Sequence, residues 1–250
     1  MKPPDVNHRY YDGRHSDVTN VLNDLPFWSE QAQTCGDPIL ELACGTGRVT
    51  LFLAKEGFKV AGIDVSNTML AHAKKKDDKN LVKWIKGDIR DFDLGERYAL
   101  IIFPFNTICH LYESEDLEGC LSCVKRHLKQ GGRFVIDVFN PDLSFLIRDP
   151  EKRHPHAEYP DPDGKGKIFV TESNVYDSAA QINRITLYYK LPGQAEEVTD
   201  TLNMRIYFPQ EIDALLRCNG FVIEKKYGDC DRSPFGPGSK KQIIVSSVKG

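Results

Sequence analysis

The sequence predicts an α/β protein with a parallel sheet that is interrupted by an antiparallel β insert. Two observations support this class. Short apolar runs alternate with amphipathic helical segments over residues 38–139, and three long strand-like segments without intervening helices follow over residues 167–207. Strands that alternate with helices form right-handed βαβ units whose strands lie parallel. Hydrophobic residues make up 40% of the 250 residues, which is enough for a sizeable core.

The individual elements of the first half follow from periodicity and from helix-ending residues. Apolar spacing predicts a helix over residues 17–33 that Pro26 interrupts, because proline disrupts a helix interior. Gly57 and Gly131-Gly132 are predicted helix ends, and Ser66 or Asn67 is a predicted N-cap. The predicted strands are 38–43, 58–63, 81–86, 99–103 and 133–139, and the predicted helices between them are 48–56, 67–76 and 113–130.

The second half begins with a polar segment over residues 150–165, which we interpret as a loop. The three strands of the predicted insert are 167–176, 182–191 and 197–207, separated by turn residues. A helix over 209–218 and two strands over 221–227 and 242–247 resume the first pattern. We therefore divide the chain into an N-terminal helical arm (1–36), a main domain (37–149 and 208–250) and the insert (150–207).

Composition and charge restrict the possible partners. The 33 Lys and Arg residues against 36 Asp and Glu residues give a net charge of −3, which argues against a nucleic-acid partner because phosphate neutralisation dominates that affinity. No apolar run approaches the ~20 residues that a membrane span needs. The N-terminal residues do not resemble a signal peptide, so we expect a cytoplasmic protein. Seven irregularly spaced cysteines do not form a disulfide framework.

A glycine-rich turn between the first strand and the first following helix is the most informative motif. It reads Glu41-Leu42-Ala43-Cys44-Gly45-Thr46-Gly47-Arg48. Two glycines permit a sharp turn and the close approach of a ligand, and helix N-termini favour negative groups. A dinucleotide-binding fingerprint has a third glycine where this chain has Thr50. This difference weakens the alternative of an NAD(P)-dependent oxidoreductase.

Two acids follow the next two predicted strands. Asp64 ends the second strand, where a carboxylate can accept hydrogen bonds from both hydroxyls of a ribose. Asp88 lies just after the third strand, where it can accept from an adenine amino group, with Ile89 against the ring. The glycine turn and the two acids together predict a site for an adenine nucleoside.

The segments LELACGTGRVTLFLAKEGFKVAGIDVSNTML and KGDIRDF resemble the class I S-adenosylmethionine (SAM)-dependent methyltransferases. This resemblance implies a Rossmann-like, seven-stranded, mostly parallel sheet with an antiparallel final strand, plus an antiparallel three-stranded β insert after strand five. The main domain would bind SAM, and the insert would cover the acceptor pocket. The implied cofactor-binding residues are Glu41, Ala43, Cys44, Gly45, Gly47, Asp64, Val65, Met69, Asp88, Ile89 and Phe105.

The N-terminal Tyr10-Tyr11-Asp12-Gly13-Arg14 is similar to a segment of small-molecule members, including macrolide-sugar N,N-dimethyltransferases; the insert also resembles that of glycine N-methyltransferase relatives. The resemblance implies that Tyr11 and Arg14 close over the methionine end of SAM, with Arg14 pairing with its carboxylate. The alternative of a surface arm with a solvated arginine stays open. Tyr11 is also a candidate catalytic residue through its hydroxyl.

The segment after strand four, Phe103-Pro104-Phe105-Asn106, matches neither the adenine-methylating nor the cytosine-methylating motif. His110 follows it, where the sugar dimethyltransferases carry a His-Leu pair. It is the first candidate for accepting a proton, with a structural histidine as the alternative. An amine acceptor needs only its free base, whereas a hydroxyl needs a general base or a metal. We find no metal-ligating pattern.

The sequence-based hypothesis is a SAM-dependent methyltransferase that moves a methyl group to N or O of a small-molecule acceptor by in-line displacement. The alternatives are the oxidoreductase, a SAM-binding protein that methylates a protein side chain, and a non-catalytic SAM-binding subunit. We expect no nucleic-acid or membrane partner. Whether the protein is a monomer or a homodimer is left open.

Overall fold

The computed structural model describes residues 23–161 and 163–249. The predicted contacts of Tyr11 and Arg14 therefore lie outside the described residues. The described chain divides into two compact units, a larger one of residues 24–140 and 207–249 and a smaller one of residues 141–206. None of the helices in these ranges is long and apolar enough to cross a membrane.

The elements follow one another as alternating strands and helices, except in the smaller unit. The strands are β1 (Ile39–Leu42), β2 (Val60–Asp64), β3 (Val82–Lys86), β4 (Tyr98–Phe103), β5 (Leu128–Phe139), β6 (His154–Pro160), β7 (Lys167–Asp177), β8 (Ile182–Lys190), β9 (Val198–Arg205), β10 (Phe221–Tyr227) and β11 (Lys241–Val248). The helices are α1 (Leu25–Cys35), α2 (Arg48–Lys55), α3 (Asn67–Lys76), α4 (Ser114–His127), α5 (Leu143–Leu146) and α6 (Pro209–Cys218).

The larger unit contains a seven-stranded sheet in the order β10-β11-β5-β4-β1-β2-β3. β1 pairs in parallel with both β2 and β4, and Ile39 lies opposite Val60 on one side and Leu100 on the other. The final strand β11 is antiparallel to both of its neighbours, β5 and β10. The predicted seven-stranded sheet with an antiparallel final strand is thus confirmed.

Helix α1 packs into the core of the larger unit. Phe27, Trp28 and Ala32 are buried there together with apolar residues of β1, β4 and α2. Pro26 lies in the first turn of α1, and residues 17–22 of the predicted interrupted helix lie outside the described residues. The first turn has no intrahelical acceptor for the amide that proline lacks, and a fixed φ suits a helix start.

The end of α4 also differs from its prediction. The helix ends at His127, and β5 begins at Leu128, so Gly131 and Gly132 lie inside a strand. Leu128 pairs with Tyr98 before the register of β5 shifts. Gly131 has a φ of +73°, which a residue with a side chain rarely adopts. The two glycines therefore accommodate a strand irregularity instead of ending the helix.

The smaller unit is an antiparallel sheet of four strands in the order β6-β7-β8-β9, one more than the three predicted. The additional strand β6 (His154–Pro160) was predicted as a loop because it is rich in proline and polar residues. Of the described strands β6 pairs with β7 alone, and an edge strand tolerates proline because half of its amides need no partner. The buried face holds an apolar cluster, comprising Tyr159, Ile168, Val170, Ile185, Leu187, Tyr189 and Leu191.

Candidate active site

The glycine turn follows β1 and uses its two glycines for different purposes. Gly45 has a φ of +55°, and a Cβ placed on it would have no heavy atom within 4 Å. Gly47 has a φ of +80°, and a Cβ there would lie 2.4 Å from Cη2 of Trp84. Gly47 is therefore required by packing against the indole, whereas Gly45 presents backbone to open space. Ala43 also has a positive φ, of 48°, which adds to the sharpness of the turn.

Asp64 connects this turn to the end of β2. Its Oδ2 accepts from the amide of Gly45 at 2.8 Å, and its Oδ1 accepts from the amide of Ser66 at 2.7 Å. The residue is only 6% exposed. Each carboxylate oxygen has two lone pairs, so one on each oxygen is left for a further donor. A ribose with two adjacent hydroxyls supplies such donors.

The residues after Asp64 form the start of α3. Ser66 is the N-cap, and its hydroxyl accepts from the amide of Met69 at 3.2 Å, which confirms the predicted cap. Met69 is half-buried on this first turn. Val65, between the acid and the cap, leaves 62% of its surface exposed. An apolar side chain thus stands at the surface directly beside the carboxylate.

Glu41 is buried in β1 and is paired with Thr50 of α2. The Thr50 hydroxyl donates to the Glu41 carboxylate, and Thr50 is fully buried. Burial raises the pKa of Glu41 to about 7, although the hydrogen bond from Thr50 opposes this rise. In the sequence, Thr50 stands where a dinucleotide-binding fingerprint has its third glycine. The structure gives the position a specific polar partner instead.

An ion pair between Asp24 and Arg48 lies next to the turn. Arg48, the first residue of α2, donates to both oxygens of Asp24, with N–O distances of 2.6 and 2.7 Å. Asp24 is 1% exposed and also accepts from Trp28 Nε1 at 3.0 Å. Burial alone would raise the pKa of Asp24, but the hydrogen bonds and charge of Arg48 lower it. No sequence pattern links residues 24 positions apart, so this pair could not be predicted from the sequence.

Asp88 follows β3 and is paired with a nearby arginine. Arg90 Nη2 lies 2.7 Å from Asp88 Oδ2, Arg90 Nε lies 3.0 Å from Oδ1, and the Arg90 amide also donates to Oδ1. Arg90 Nη1 further donates to Asp116 of α4 at 2.9 Å. The hydrogen bond from Arg90 is the main reason that the pKa of Asp88 is lowered. The carboxylate of Asp88 is therefore ionised and held in place. Its contact with adenine stays a prediction, as does the contact of the half-buried Ile89 with the adenine ring.

The segment after β4 bends back toward the glycine turn. Phe105 and Asn106 have φ values of 55° and 60°, so two successive residues with side chains are left-handed. The ring of Phe105 lies 5.8 Å from the guanidinium carbon of Arg48. The structure therefore brings Phe105 to the start of α2, close to the predicted cofactor site.

His110 ends the 3-10 turn Thr107–His110 that follows. Its imidazole keeps an exposed surface, yet the protein packed around it lowers its pKa by partial desolvation. The imidazole is then neutral at pH 7 and can accept a proton. Over residues 23–161 and 163–249, no three His, Cys, Asp or Glu side chains come together as a metal site.

Comparison with known proteins agrees with this geometry. Residues 39–132 match the family model described as "Methyltransferase domain". The chain is 31% identical over 134 residues to the dTDP-3-amino-3,4,6-trideoxy-alpha-D-glucopyranose N,N-dimethyltransferase of Streptomyces venezuelae, covering 53% of this chain and 55% of that relative. It is 28% identical over 217 residues to the dTDP-3-amino-3,6-dideoxy-alpha-D-glucopyranose N,N-dimethyltransferase of Streptomyces fradiae, covering 86% and 81%.

Solved structures share the same architecture. The CcbJ methyltransferase from Streptomyces caelestis superposes with a TM-score of 0.79 at 24% identity, covering 90% of this chain and 95% of that one. The family to which these proteins belong uses SAM as its methyl donor. Residues 39–132 therefore form a methyltransferase domain, and the chain shares its fold with SAM-dependent methyltransferases.

Proposed function

We propose that the protein transfers a methyl group from SAM to the amino nitrogen of a small-molecule acceptor, with an amino sugar as the favoured class. The observation that carries this proposal is the Asp64 carboxylate. It is buried at the end of β2, tied by one oxygen to the amide of Gly45 and by the other to that of Ser66. This arrangement holds the glycine turn beside an anchored acid that can accept from both ribose hydroxyls.

The residues present fit SAM. The open space above Gly45 leaves room for the ligand to contact the turn, and the anchored Asp64 matches the ribose. The exposed apolar side chain of Val65 suits one face of an adenine, and Asp88 suits its amino group. The predicted dinucleotide alternative lacks support, because Thr50 occupies the third glycine position and donates to Glu41.

When bound, SAM supplies a methyl group on a positively charged sulfur, which is an electrophile that needs no further activation. The protein's task is then to position the acceptor and to exclude water. Phe105, held near Arg48, contributes an apolar wall at the end of β4. His110 is neutral at pH 7 and accepts the proton that an ammonium acceptor must lose before it can react.

The choice of nitrogen and of an amino sugar derives from the relatives. Two of them are named as N,N-dimethyltransferases of dTDP-linked amino sugars. Another, from Rattus norvegicus, is named glycine N-methyltransferase and is 30% identical over 120 residues, which are 41% of its length. That the insert covers the acceptor pocket stays a prediction.

The test is a methyl-transfer assay with SAM and three acceptors of different class: dTDP-3-amino-3,6-dideoxy-alpha-D-glucopyranose, glycine and a short lysine-containing peptide. Mass spectrometry follows the addition of one or two methyl groups. We expect the amino sugar to be methylated and the peptide to remain unchanged. Product from the peptide alone would support a protein methyltransferase, and SAM binding without product from any acceptor would support a non-catalytic subunit.

Two variants serve as controls for the role of the cofactor site. Asp64→Ala removes the acceptor of both ribose hydroxyls, so we expect product formation at subsaturating SAM to be lost. Asp78→Ala replaces an exposed aspartate just after α3 and should leave the rate unchanged. Equal rates for Asp64→Ala and Asp78→Ala would place the ribose elsewhere.

A further inference from the structure

Asp137 is a buried carboxylate near the end of β5 to which the proposed chemistry gives no part. It is 0% exposed. Its Oδ2 accepts from the amide of Phe105 at 3.3 Å and from Lys241 Nζ of β11 at 3.1 Å. Its backbone carbonyl accepts from the amide of Asn106 at 2.9 Å. One residue of β5 thus binds both left-handed residues of the segment after β4.

The segment held in this way is strained. Phe105 and Asn106 are left-handed in succession, and such conformations cost about 1–3 kcal/mol each for a residue with a side chain. They persist only where surrounding contacts fix them. A third contact comes from β5, since the amide of Phe139 donates to Asn106 Oδ1 at 2.7 Å. Strain that is locked by several hydrogen bonds next to a ligand site is typical of a functional segment.

The charge of Asp137 is balanced within the same region. Burial raises the pKa of Asp137, and the neighbouring Lys241 opposes that rise. Among the described residues its buried Oδ1 has no hydrogen-bond partner, and the contacts to Phe105 and Lys241 both fall on Oδ2. A carboxylate that leaves one oxygen unsatisfied carries a desolvation cost, which points to a role other than stability.

We propose that Asp137, fixed by Lys241, is a positioning residue that holds Phe105 in place against the start of α2 and so sets the acceptor side of the methyl-transfer site. This inference rests on the proposed function. The fully buried carboxylate of Asp137 acts through the amide of Phe105, and its backbone carbonyl accepts from the amide of Asn106. Loss of its side chain removes the contact that fixes Phe105, while the two contacts that hold Asn106 remain, so Phe105 is the residue freed to move away from Arg48.

The first readout is steady-state kinetics. Misplacement of a reacting site by about 1 Å costs on the order of 100-fold in rate, so we expect Asp137→Ala to lower kcat by ~10–100-fold. The Kd for S-adenosylhomocysteine, measured by calorimetry, should change by a smaller factor than kcat, because Asp64 is untouched and Phe105 is only one of the implied cofactor contacts. Asp137→Asn keeps an oxygen that can accept from the Phe105 amide and should restore most of kcat.

The matched control is Ser246→Ala. Ser246 is buried on the same pair of strands, and its hydroxyl donates to the Phe134 carbonyl at 3.0 Å, away from the end that holds Asp137. It should lose stability without a selective loss of kcat. If Asp137→Ala does not fold, Asp137→Ser takes its place, since its hydroxyl is too short to reach the Phe105 amide.

The second readout needs no acceptor and separates this inference from the proposed function. Hydrogen exchange of the peptide that contains Phe105 and Asn106 should accelerate in Asp137→Ala, remain slow in Asp137→Asn and remain slow in Ser246→Ala. If the wild-type protein does not methylate any amine, the proposed function fails while this readout still tests the positioning. Unchanged exchange, or unchanged kcat in an active enzyme, would overturn the inference.

Discussion

The two glycines of the turn after β1 offer a prediction in which stability and ligand binding separate. Replacing either by alanine forces a side chain into the left-handed region, which costs about 1–2 kcal/mol. Gly47→Ala also places its Cβ 2.4 Å from the Trp84 ring, whereas Gly45→Ala meets no heavy atom within 4 Å. Both substitutions therefore carry the cost of the left-handed conformation, and only Gly47→Ala also clashes with Trp84.

The additional penalty at Gly47 is that of overpacking, about 1–3 kcal/mol. For a chain of this size each kcal/mol lowers the Tm by roughly 2–4 °C, so Gly47→Ala should melt about 2–12 °C below Gly45→Ala. SAM binding should be affected in the opposite order, with the less destabilising substitution, Gly45→Ala, weakening it more. The methyl group of Gly45→Ala projects into the space that we assign to SAM, and we expect the Kd for SAM to rise about tenfold or more, which is at least ~1.4 kcal/mol.

The assay is thermal unfolding of both variants without ligand, followed by calorimetric titration with SAM at a temperature where both are folded. A Gly45→Ala protein that binds SAM as tightly as the wild type would refute the assignment of the open space to the cofactor. Equal Tm values for the two variants would refute the argument from Trp84.

Three further predictions concern the charged groups of the site. The raised pKa of Glu41, about 7 against an ordinary 4.5, means that the folded state retains a proton that the unfolded state has lost, so this residue lowers stability as pH rises from about 4.5 to 7. Glu41→Gln should remove that dependence and gain up to ~3 kcal/mol over wild type between pH 4.5 and 8, as measured by urea unfolding; a constant difference would contradict the burial argument. Arg48→Met leaves Asp24 buried and uncompensated and should cost about 3–5 kcal/mol, with Asp24→Asn in the same chain restoring part of it; no recovery in the double variant would show that the two residues are not coupled. His110→Ala should lower turnover more than SAM affinity, and the reverse pattern in kinetics and calorimetry would make His110 a cofactor residue.

Much of the fold was predictable because its signals are local. The apolar runs that became β1, β2 and β4 are short and bounded by turn residues, and α3 and α6 begin and end where the sequence predicts. The final antiparallel strand was implied by the family resemblance. Elements whose identity depends on a neighbour were predicted less well. β6 is an edge strand only because β7 lies beside it, so its proline-rich sequence was predicted as a loop.

The candidate site likewise contains some residues that local sequence patterns predict and others whose contacts depend on distant parts of the chain. The glycine turn and Asp64 were predicted because spacing alone places them at the ends of adjacent strands. The pairing of Asp24 with Arg48, and of Asp137 with Lys241, joins residues that are 24 and 104 positions apart, and no local pattern encodes such contacts. Arg90 lies only two residues from Asp88, yet their pairing depends on the conformation of the Arg90 side chain, which the sequence does not specify.

The central claim is that this site binds SAM, and the most direct measurement is thermal unfolding with SAM, S-adenosylhomocysteine, NAD and NADP in parallel, on wild-type protein and Asp64→Ala. A ligand at ~100 times its Kd adds about 2.7 kcal/mol. For a chain of this length that raises the Tm by roughly 5–11 °C. We predict this rise when SAM or S-adenosylhomocysteine is added to the wild-type protein, and not when either is added to Asp64→Ala. A rise with NAD or NADP in place of SAM, or an equal rise with SAM in Asp64→Ala, would contradict the account.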